Sequence, residues 1–405
     1  MATLYLGSCD TAKKPSSAKS FLAPYHMDGL LKNTVSFRDD DRTTWRRFRN
    51  TPGSEVARLQ EFLFEAGFMP RGVIDGIFDY VTQASVRLFQ EYVRSVDGVS
   101  SMLPDGIVGR GTQSHIDRWK AAGKVSDWGR MSHTNPSAEH AKWIALLHKA
   151  KKHYKQNPNP ILDQVANFNK PTDSIKTDDW EFDPKQIHLI GIRRAHNLSV
   201  DRRENDDIFI LLIRGMVFKF WGSTDANQKM IGRRNEAFLV EGQHKYRFGW
   251  HKISVENKIY RALRPYRNGV LVFRDRDDDN ALTESDLRWG LDRNPNHTIN
   301  IHWSGIGRSN WSAGCQVIAG KSYINHSDSV VDCSGFAAAG YKSLNRAAKK
   351  TKGAYNVLAD LIVSFSDPGI NHIYYTLGRE NSLNLDASLG ADYAKENLER
   401  MRNLS

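Results

Sequence analysis

The chain has 405 residues, of which 40% are hydrophobic and 10% aromatic, so it can bury a sizeable core and is not a disordered chain. Its formal net charge of +11 favours an anionic partner. Lys and Arg are scattered along the sequence without a helix-turn-helix, zinc-finger or RNA-binding signature, so we predict no nucleic-acid partner.

The three cysteines, Cys9, Cys315 and Cys333, are too few for a disulfide scaffold and leave at least one free thiol. The first residues lack the continuous apolar segment of a secretory signal, and no later stretch is long and apolar enough to span a bilayer. We therefore expect a protein made in the cytoplasm without a secretory signal and with no membrane span.

A short internal repeat lies between residues 54 and 119. The Asp75-Gly76 turn recurs as Asp105-Gly106, and Thr82 recurs as Thr112, each thirty positions later. In both copies the turn precedes a Thr suited to helix capping and then apolar residues at helical spacing. An apolar helix face before the first copy consists of Val56, Leu59, Leu63 and Ala66. The pattern predicts a compact module of three short helices.

This segment resembles the peptidoglycan-binding domain type 1 family, whose pattern is a Leu-Gln helix, a D-G-x-F loop, a T-x-x-A-V-x-x-F-Q helix and a final D-G-x-V-G-x-x-T. The family usually has a glycine where this chain has Asp79. The resemblance implies that residues 53–120 bind peptidoglycan. The matching residues are Leu59, Gln60, Asp75, Gly76, Phe78, Thr82, Ala84, Val86, Phe89, Gln90, Asp105, Gly106, Val108, Gly109 and Thr112.

Asn135-Pro136 predicts the start of a connecting helix, with Asn as its N-cap, that continues past Trp143 to a stop at Asn157-Pro158. From Gln186 onward, short apolar runs separated by Gly and Asp turns predict the strands of a β-rich domain. These runs are IHLIGI, DIFILLI, MVFKFW, GVLVF, HTINIHW, GCQVI and HIYYTL.

We also expect one helix near Asp332 to Leu344. The predicted fold class is α+β. We divide the chain into an N-terminal extension (1–52), the three-helix module (53–120), a helical connector (121–185) and a β-rich catalytic domain (186–405).

Residues 298–318 carry the chemistry, because His302 closes a predicted strand and Cys315 opens the next one after a Gly-Ser loop. A cysteine needs a nearby base or positive charge to become a thiolate. The preceding Gly314 allows close approach of a substrate and leaves backbone N–H groups available for an oxyanion. This spacing is typical of a thiolate-imidazole nucleophile.

The stretch resembles the L,D-transpeptidase (YkuD-type) family, in which a strand-end His is followed, after a loop, by S-H-G-C. The resemblance implies that Cys315 is the nucleophile and His302 the base, with Ser312 and Gly314 as the S and G of the motif. It also implies that a main-chain carbonyl just after the histidine, of Trp303 or Ser304, orients the imidazole ring.

This chain departs from the family motif at two positions, with Ala313 in place of the second His and Val317 in place of the Arg or Asn that usually follows the cysteine by two residues. Contacts to a substrate carboxylate and to the oxyanion must therefore be made differently. Upstream residues resemble the preceding hairpins of a divergent branch of the family. The candidate substrate-binding residues are Gln243, Tyr246, His251 and Trp303.

A second cysteine offers a rival assignment, because Asp332-Cys333-Ser334-Gly335-Phe336 resembles the motif of NlpC-type peptidases. In that family a cysteine at a helix N-terminus is activated by a later strand histidine, here His372. The helix dipole favours the thiolate in such a position. The alternative is a structural Cys333.

The segment from Asp275 through Asp277 and Asp279 to Asp286 follows the spacing of oxygen ligands in a calcium loop, with Asn280 in place of the turn glycine. It follows a predicted strand instead of lying between two helices, so a solvated acidic turn is the other interpretation. We expect that no cofactor is required.

The resemblances imply acyl transfer on a peptidoglycan stem peptide, with water or an amine as the acceptor. They leave transpeptidase and peptidase open. Without a secretory signal, the protein would reach the wall or periplasm through lysis, a secretion apparatus or a contractile injection machine. A different class of hypothesis is a non-catalytic wall-docking component of a phage-like or contractile injection particle.

Overall fold

A computed structural model describes residues 3–10, 49–51, 53–194, 204–226, 234–251, 260–278, 283–310, 312–340, 343–344, 350–367, 369–383, 388–390 and 392–404. These residues form two compact units. Unit 1 contains Met1–Ser132, Phe248–Arg261 and Phe336–Ile370, and unit 2 contains His133–Arg247, Ala262–Gly335 and Asn371–Ser405. Helices and strands occur in both halves of the sequence, which confirms the predicted α+β class. The predicted domain boundaries stay a prediction.

Unit 1 contains helices α1 (Glu55–Glu65), α2 (Tyr80–Ser95), α3 (Arg110–Ala121), α4 (Asp127–Arg130) and α8 (Ala354–Phe365). Strand β1 (Ser8–Asp10) pairs in parallel with β2 (Arg49–Thr51). Asp10 accepts hydrogen bonds from Val56 N (2.8 Å) and Ala57 N (3.0 Å), and it thereby caps the first turn of α1.

The repeat is a hydrogen-bonding motif that extends to a glutamine in each copy. Gln60 Nε2 donates to Asp75 Oδ1 (2.9 Å) and Thr82 Oγ1 (3.0 Å), and its Oε1 accepts from Gly76 N (2.9 Å). Thirty positions later, Gln90 makes the same three contacts with Asp105, Thr112 and Gly106. Each buried glutamine therefore fastens an Asp-Gly loop to the helix that follows it.

The predicted capping role of Thr82 and Thr112 is wrong, because both lie inside their helices. Asp79, which replaces the family's usual glycine, is the N-cap of α2 and accepts from Thr82 N at 3.0 Å. Gly109 holds the N-cap position of α3 without a side-chain hydrogen bond. Each helix begins two residues before its threonine, at Tyr80 and at Arg110, so the threonine lies in the first turn and not at the N-cap.

The connecting helix α5 (Ala138–Gln156) belongs to unit 2 and ends before Pro158, as predicted. Its N-cap is Ser137, whose hydroxyl accepts from His140 N at 3.2 Å, so the predicted Asn135 cap is wrong by two residues. The remaining described helices of unit 2 are α6 (Pro160–Ala166), α7 (Glu284–Trp289), α9 (Glu380–Leu383), α10 (Tyr393–Arg402) and a short 3-10 helix (Thr177–Asp179).

The strands of the large sheet begin with β3 (Ser174–Ile175), β4 (His188–Arg193), β5 (Asp207–Ile213), β6 (Met216–Ser223), β8 (Gly242–His251) and β9 (Tyr260–Pro265). They continue with β11 (Ile301–Trp303), β12 (Gln316–Ile318), β13 (Ser322–Ile324), β14 (Val330–Asp332) and β15 (Ile373–Arg379). A separate pair consists of β7 (Ala237–Leu239) and β10 (Val272–Arg274). All seven predicted apolar runs contribute a strand.

Eight strands of this sheet close into a barrel in the order β6, β12, β11, β9, β8, β15, β4, β5 and back to β6. The closing pair, β6 and β12, matches Gly222 with Ile318 and Ser223 with Val317. A side chain at Gly222 would overlap the Val317 carbonyl. The absence of a Cβ at Gly222 is therefore what lets the last two strands meet.

The predicted helix over 332–344 is wrong for its described residues. Val330–Asp332 form strand β14, which pairs with Ser322–Ile324, and turns and bends follow through Gly340. The β-branched pair Val330-Val331 and the two glycines at 335 and 340 favour this arrangement over a helix. Within the described residues, no helix combines the length and the apolar character needed to cross a membrane.

Candidate active site

His302 lies on strand β11 of the unit 2 barrel, and Cys315 directly precedes the neighbouring strand β12. Strands β11 and β12 run parallel, with Ile301 opposite Gln316 and His302 opposite Val317. Extending the register by one residue places Asn300 opposite Cys315. Because alternate residues share a face of a strand, Cys315 and His302 lie on the same face, roughly 8 Å apart between Cα atoms.

The Cys315 sulfur is held between two main-chain groups. Its thiol donates to Thr298 O at 3.3 Å, and Asn300 N donates to the sulfur at 3.4 Å. The N–H donor stabilises a thiolate, whereas the contact with the carbonyl is lost on ionisation. Cys315 and His302 are both partly exposed, while their sequence neighbours Gln316 and Ile301 are buried.

The imidazole of His302 is oriented by the main chain, because its Nδ1 lies 2.9 Å from the Trp303 carbonyl oxygen. A carbonyl oxygen can only accept, so Nδ1 carries the proton and Nε2 keeps its lone pair. This is the contact that the family resemblance implies for Trp303. It leaves His302 in the tautomer that can take a proton from a thiol.

The turn before Cys315 is fixed by side-chain hydrogen bonds. Ser312 Oγ donates to Cys315 O at 2.7 Å and accepts from Gly314 N at 3.3 Å. Asn310 Oδ1 accepts from Ser312 N, and its amide nitrogen donates to Ser223 Oγ at 3.0 Å. Ser312 is therefore a positioning residue that holds the cysteine against the end of β6.

The candidate substrate-binding residues have different surroundings. Tyr246 is fully buried and donates to Ile299 O at 3.0 Å, and burial, followed by the charges of Tyr375 and Cys315, raises its pKa well above its usual value. Gln243 is also fully buried and bonds Glu181 and Thr376. His251, in unit 1, packs edge-on against Tyr260. Their substrate-binding roles stay predictions.

Sequence reasoning missed Arg264, which lies on β9 in the same row as Cys315. Strand β9 places Leu263 opposite Ile301, so Arg264 is opposite Asn300, which in turn is opposite Cys315. Burial and the Arg247 guanidinium lower the pKa of Arg264, and the Cys315 charge acts in the opposite direction. The signal that the sequence offered for this residue was the second arginine of the strand YRALRP.

The structure does not bring Cys333 and His372 together. The pairing of β14 with β13 places Cys333 beside Lys321. Following the register from β13 through β6, β5 and β4 to β15 places this row at Arg379, the last residue of β15. His372 precedes the opposite end of β15, about 20 Å along the strand direction. Cys333 is fully buried and follows a strand, so it lacks the predicted helix N-terminus.

Three acidic side chains of the predicted calcium loop lie close together, with ligand atoms of Asp275, Asp277 and Asp286 all within 4.8 Å of one another. Asp279 and Asn280 lie outside the described residues. Asp286 accepts from Arg276 N and Thr283 N, and it completes a capping box at the start of α7. These contacts account for its position without a cation.

Unit 1 has an open cleft of about 570 Å³ along α3. The described residues that line it are mainly polar and include two arginines: Thr3, Val108, Gly109, Arg110, Gln113, Ser114, Asp117, Arg118 and Ala121. Six of these nine residues carry side chains that can hydrogen-bond to a bound molecule.

Comparison with known proteins gives one distant likeness. No family profile and no curated protein matches the sequence. One solved structure that matches is a fused Zn-dependent amidase/peptidase/peptidoglycan-binding domain-containing protein from Clostridium acetobutylicum, at 13% sequence identity and a TM-score of 0.23. The match covers 80% of this chain and 96% of that one. At this TM-score the likeness identifies neither a fold nor an activity.

Proposed function

We propose that this protein is a peptidoglycan-active cysteine enzyme that cleaves or transfers stem-peptide amide bonds, with Cys315 as nucleophile and His302 as base. The observation that best supports the proposal is the bond between His302 Nδ1 and the Trp303 carbonyl, which leaves Nε2 as an acceptor on the face that also bears Cys315.

In the proposed reaction, His302 Nε2 takes the thiol proton and Cys315 Sγ attacks the carbonyl carbon of the scissile amide. The C–N bond breaks as the imidazolium returns that proton to the leaving amine. Water or the amine of a second stem then attacks the thioester and releases the thiolate. Water gives a peptidase and an amine gives a transpeptidase.

The module in unit 1 would hold the enzyme on its substrate. The proposal is supported by the repeated Gln-Asp-Thr hydrogen bonds that shape the Asp-Gly loops and by the polar cleft along α3. The net charge of +11 favours association with the carboxylates of the wall. We place its action at the wall or periplasm.

Mass spectrometry of purified muropeptides tests the assignment. We expect Cys315→Ala and His302→Ala each to abolish turnover, because residues that act as a unit are each indispensable. Cys333→Ala and His372→Ala are the controls and should leave most of the turnover. Loss of turnover only in these two controls would transfer the assignment to the NlpC-type pair.

The second candidate is a non-catalytic wall-docking component. The polar cleft along α3 serves this function equally well, since it requires no nucleophile. Binding to peptidoglycan without any turnover, in the wild type and in all four variants, would favour it.

The enzyme requires no cofactor in this proposal. A change in melting temperature between Ca²⁺ and EDTA would indicate a bound cation, for which Asp275 and Asp277 are the candidate ligands.

A further inference from the structure

The Cys315 sulfur contacts two main-chain groups that act on it in opposite ways. Its thiol donates to Thr298 O at 3.3 Å, and Asn300 N donates to the sulfur at 3.4 Å. When the thiol loses its proton, the carbonyl has no hydrogen left to accept, whereas the N–H contact becomes charge-assisted. Of these two main-chain groups, the Asn300 N–H is therefore the one that stabilises the thiolate.

The Asn300 N–H belongs to the peptide group that also contains the Ile299 carbonyl. A peptide group is planar, and in its trans form the C=O and the N–H point in opposite directions. Tyr246 donates its hydroxyl proton to Ile299 O at 3.0 Å. One peptide group therefore has a tyrosine hydroxyl on its oxygen and the Cys315 sulfur on its nitrogen.

The hydrogen bond on the carbonyl oxygen acts on this peptide group in two ways. It fixes the peptide plane, so that the N–H stays directed at the sulfur. It also draws electron density toward the oxygen and makes the N–H a stronger donor, since hydrogen bonds in a chain polarise one another. Both effects favour the charged form of Cys315.

The surroundings of Tyr246 keep its hydroxyl a donor. The side chain is fully buried on strand β8 and packs edge-on against Tyr375, with 5.6 Å between the ring centroids. Burial, followed by the charges of Tyr375 and Cys315, raises the pKa of Tyr246 well above its usual value. The hydroxyl therefore stays protonated over the pH range in which a cysteine thiol ionises.

We propose that Tyr246 is a positioning residue that holds and polarises the peptide group between Ile299 and Asn300, and through it activates the Cys315 thiol. The proposal rests on the proposed function and deepens it, because it assigns a residue that sets the reactivity of the nucleophile. This role needs no contact between Tyr246 and the substrate.

The test is the pH dependence of Cys315 alkylation by iodoacetamide in the full chain, followed by mass spectrometry of the peptide that contains this residue. For Tyr246→Phe we expect the midpoint of the rate profile to rise by about 0.5 to 1 pH unit, because the N–H donor is weaker and less well directed. The limiting rate at high pH should stay within about threefold of the wild-type rate, because the thiolate is then fully formed in both proteins.

Tyr375→Phe is the matched control and should leave the midpoint unchanged. Its hydroxyl is equally buried, but it donates to the Gln316 side chain at 2.9 Å and not to the peptide group that contacts Cys315. His302 on β11 and Arg264 on β9, which also influence the charge of the thiol, are the same in both variants. Repeating the comparison in a His302→Ala background removes the titration of the imidazole and should give the same displacement.

An unchanged midpoint in Tyr246→Phe, or an equal displacement in Tyr375→Phe, would overturn the inference. Faster labelling of Tyr246→Phe at every pH would also overturn it, since that pattern indicates loosened packing around Cys315. The fully buried Cys333 is the internal check, because it stays unlabelled as long as a variant is folded. The proposed function fails by a different result, muropeptide turnover that survives Cys315→Ala, and alkylation requires no substrate.

Discussion

Gly314 adopts a backbone conformation that other residues rarely take, with φ at 135°. A Cβ there would lie 3.0 Å from the Ala237 carbonyl oxygen. We expect Gly314→Ala to lower the free energy of unfolding by about 1–3 kcal/mol and to displace Cys315, with a large loss of turnover. Gly307→Ala is the matched control in the same loop, because its Cβ would meet nothing closer than 3.9 Å. Equal effects of the two substitutions would contradict this account.

Asp206 links the stability of unit 2 to pH. Burial, followed by the Asp207 and Asp225 carboxylates, raises its pKa to about 8, with Arg402 and Arg194 acting in the opposite direction. The native state therefore keeps a proton that the unfolded chain loses near pH 4, so the contribution of Asp206 to stability falls as pH rises from about 4 to about 8.

We expect Asp206→Asn to reduce the fall in melting temperature between about pH 5 and about pH 8, because the amide does not ionise. Thermal unfolding of both proteins across this range measures the effect, and Glu396→Gln, which replaces an exposed carboxylate, is the control. Parallel curves for the wild type and Asp206→Asn would contradict the prediction.

At the residue scale, the sequence motif identified the candidate nucleophile and base, and the family resemblance offered the carbonyls of Trp303 and Ser304, of which that of Trp303 contacts His302. Arg264 could not be found this way, because its relation to Cys315 passes through two strand pairings, Leu263 with Ile301 and Ile301 with Gln316, that the motif does not show. The capping residues of α2 and α5 were misassigned for a simpler reason. Asp79 and Ser137 lie within three residues of equally good candidates.

Among the elements, α2 and α8 share a buried polar interface within unit 1. Arg87 Nε pairs with Asp360 Oδ2 at 2.9 Å, and Arg261 pairs with the other oxygen of the same carboxylate. Ser85 and Ser364 lie 2.6 Å apart between their hydroxyl oxygens. Tyr80 through Val93 are therefore buried on both the apolar and the polar face of α2.

We expect Asp360→Ala to lower the free energy of unfolding by about 3 kcal/mol or more, because it removes the buried carboxylate that two guanidinium groups share. Chemical denaturation measures this change. Asp178→Ala is the control, since the pair between Lys155 and Asp178 is exposed and contributes little. A small effect of Asp360→Ala would mean that α8 does not stabilise unit 1.

The strands were predictable from apolar runs, but α8 was not predicted from its sequence AYNVLADLIVSF. The periodicity of an apolar segment does not by itself separate a buried helix from a buried strand, and its partner α2 is more than 250 residues away in the sequence. Closure of the barrel also escaped prediction, because it depends on the fit between Gly222 and the Val317 carbonyl.

For the molecule as a whole, the chain passes between the two units at 132/133, 247/248, 261/262, 335/336 and 370/371. A fragment of residues 54–119 alone would lack two of their contacts. These are the β1 residue Asp10, which caps α1, and the α8 residue Asp360, which pairs with Arg87. Wall binding should therefore be measured on the full chain with point substitutions.

We expect the full chain to sediment with insoluble peptidoglycan at about physiological salt and Arg110→Ala, in the α3 cleft, to weaken sedimentation several-fold. Arg130→Ala is the control, because it removes the same charge from an exposed position of unit 1 outside the cleft. Equal weakening by the two substitutions would show that binding depends on net charge and not on the α3 cleft.

The central claim is that Cys315 carries the acyl group, and mass spectrometry of the protein, intact and after digestion to peptides, following brief exposure to muropeptides tests it most directly. The account predicts an added acyl mass on the peptide that contains Cys315, lost on treatment with hydroxylamine and absent from Cys315→Ala. It also predicts no adduct on Cys9, whose pKa burial raises to about 11, or on the fully buried Cys333. Turnover without any adduct on Cys315, or an adduct on Cys333 instead, would contradict it.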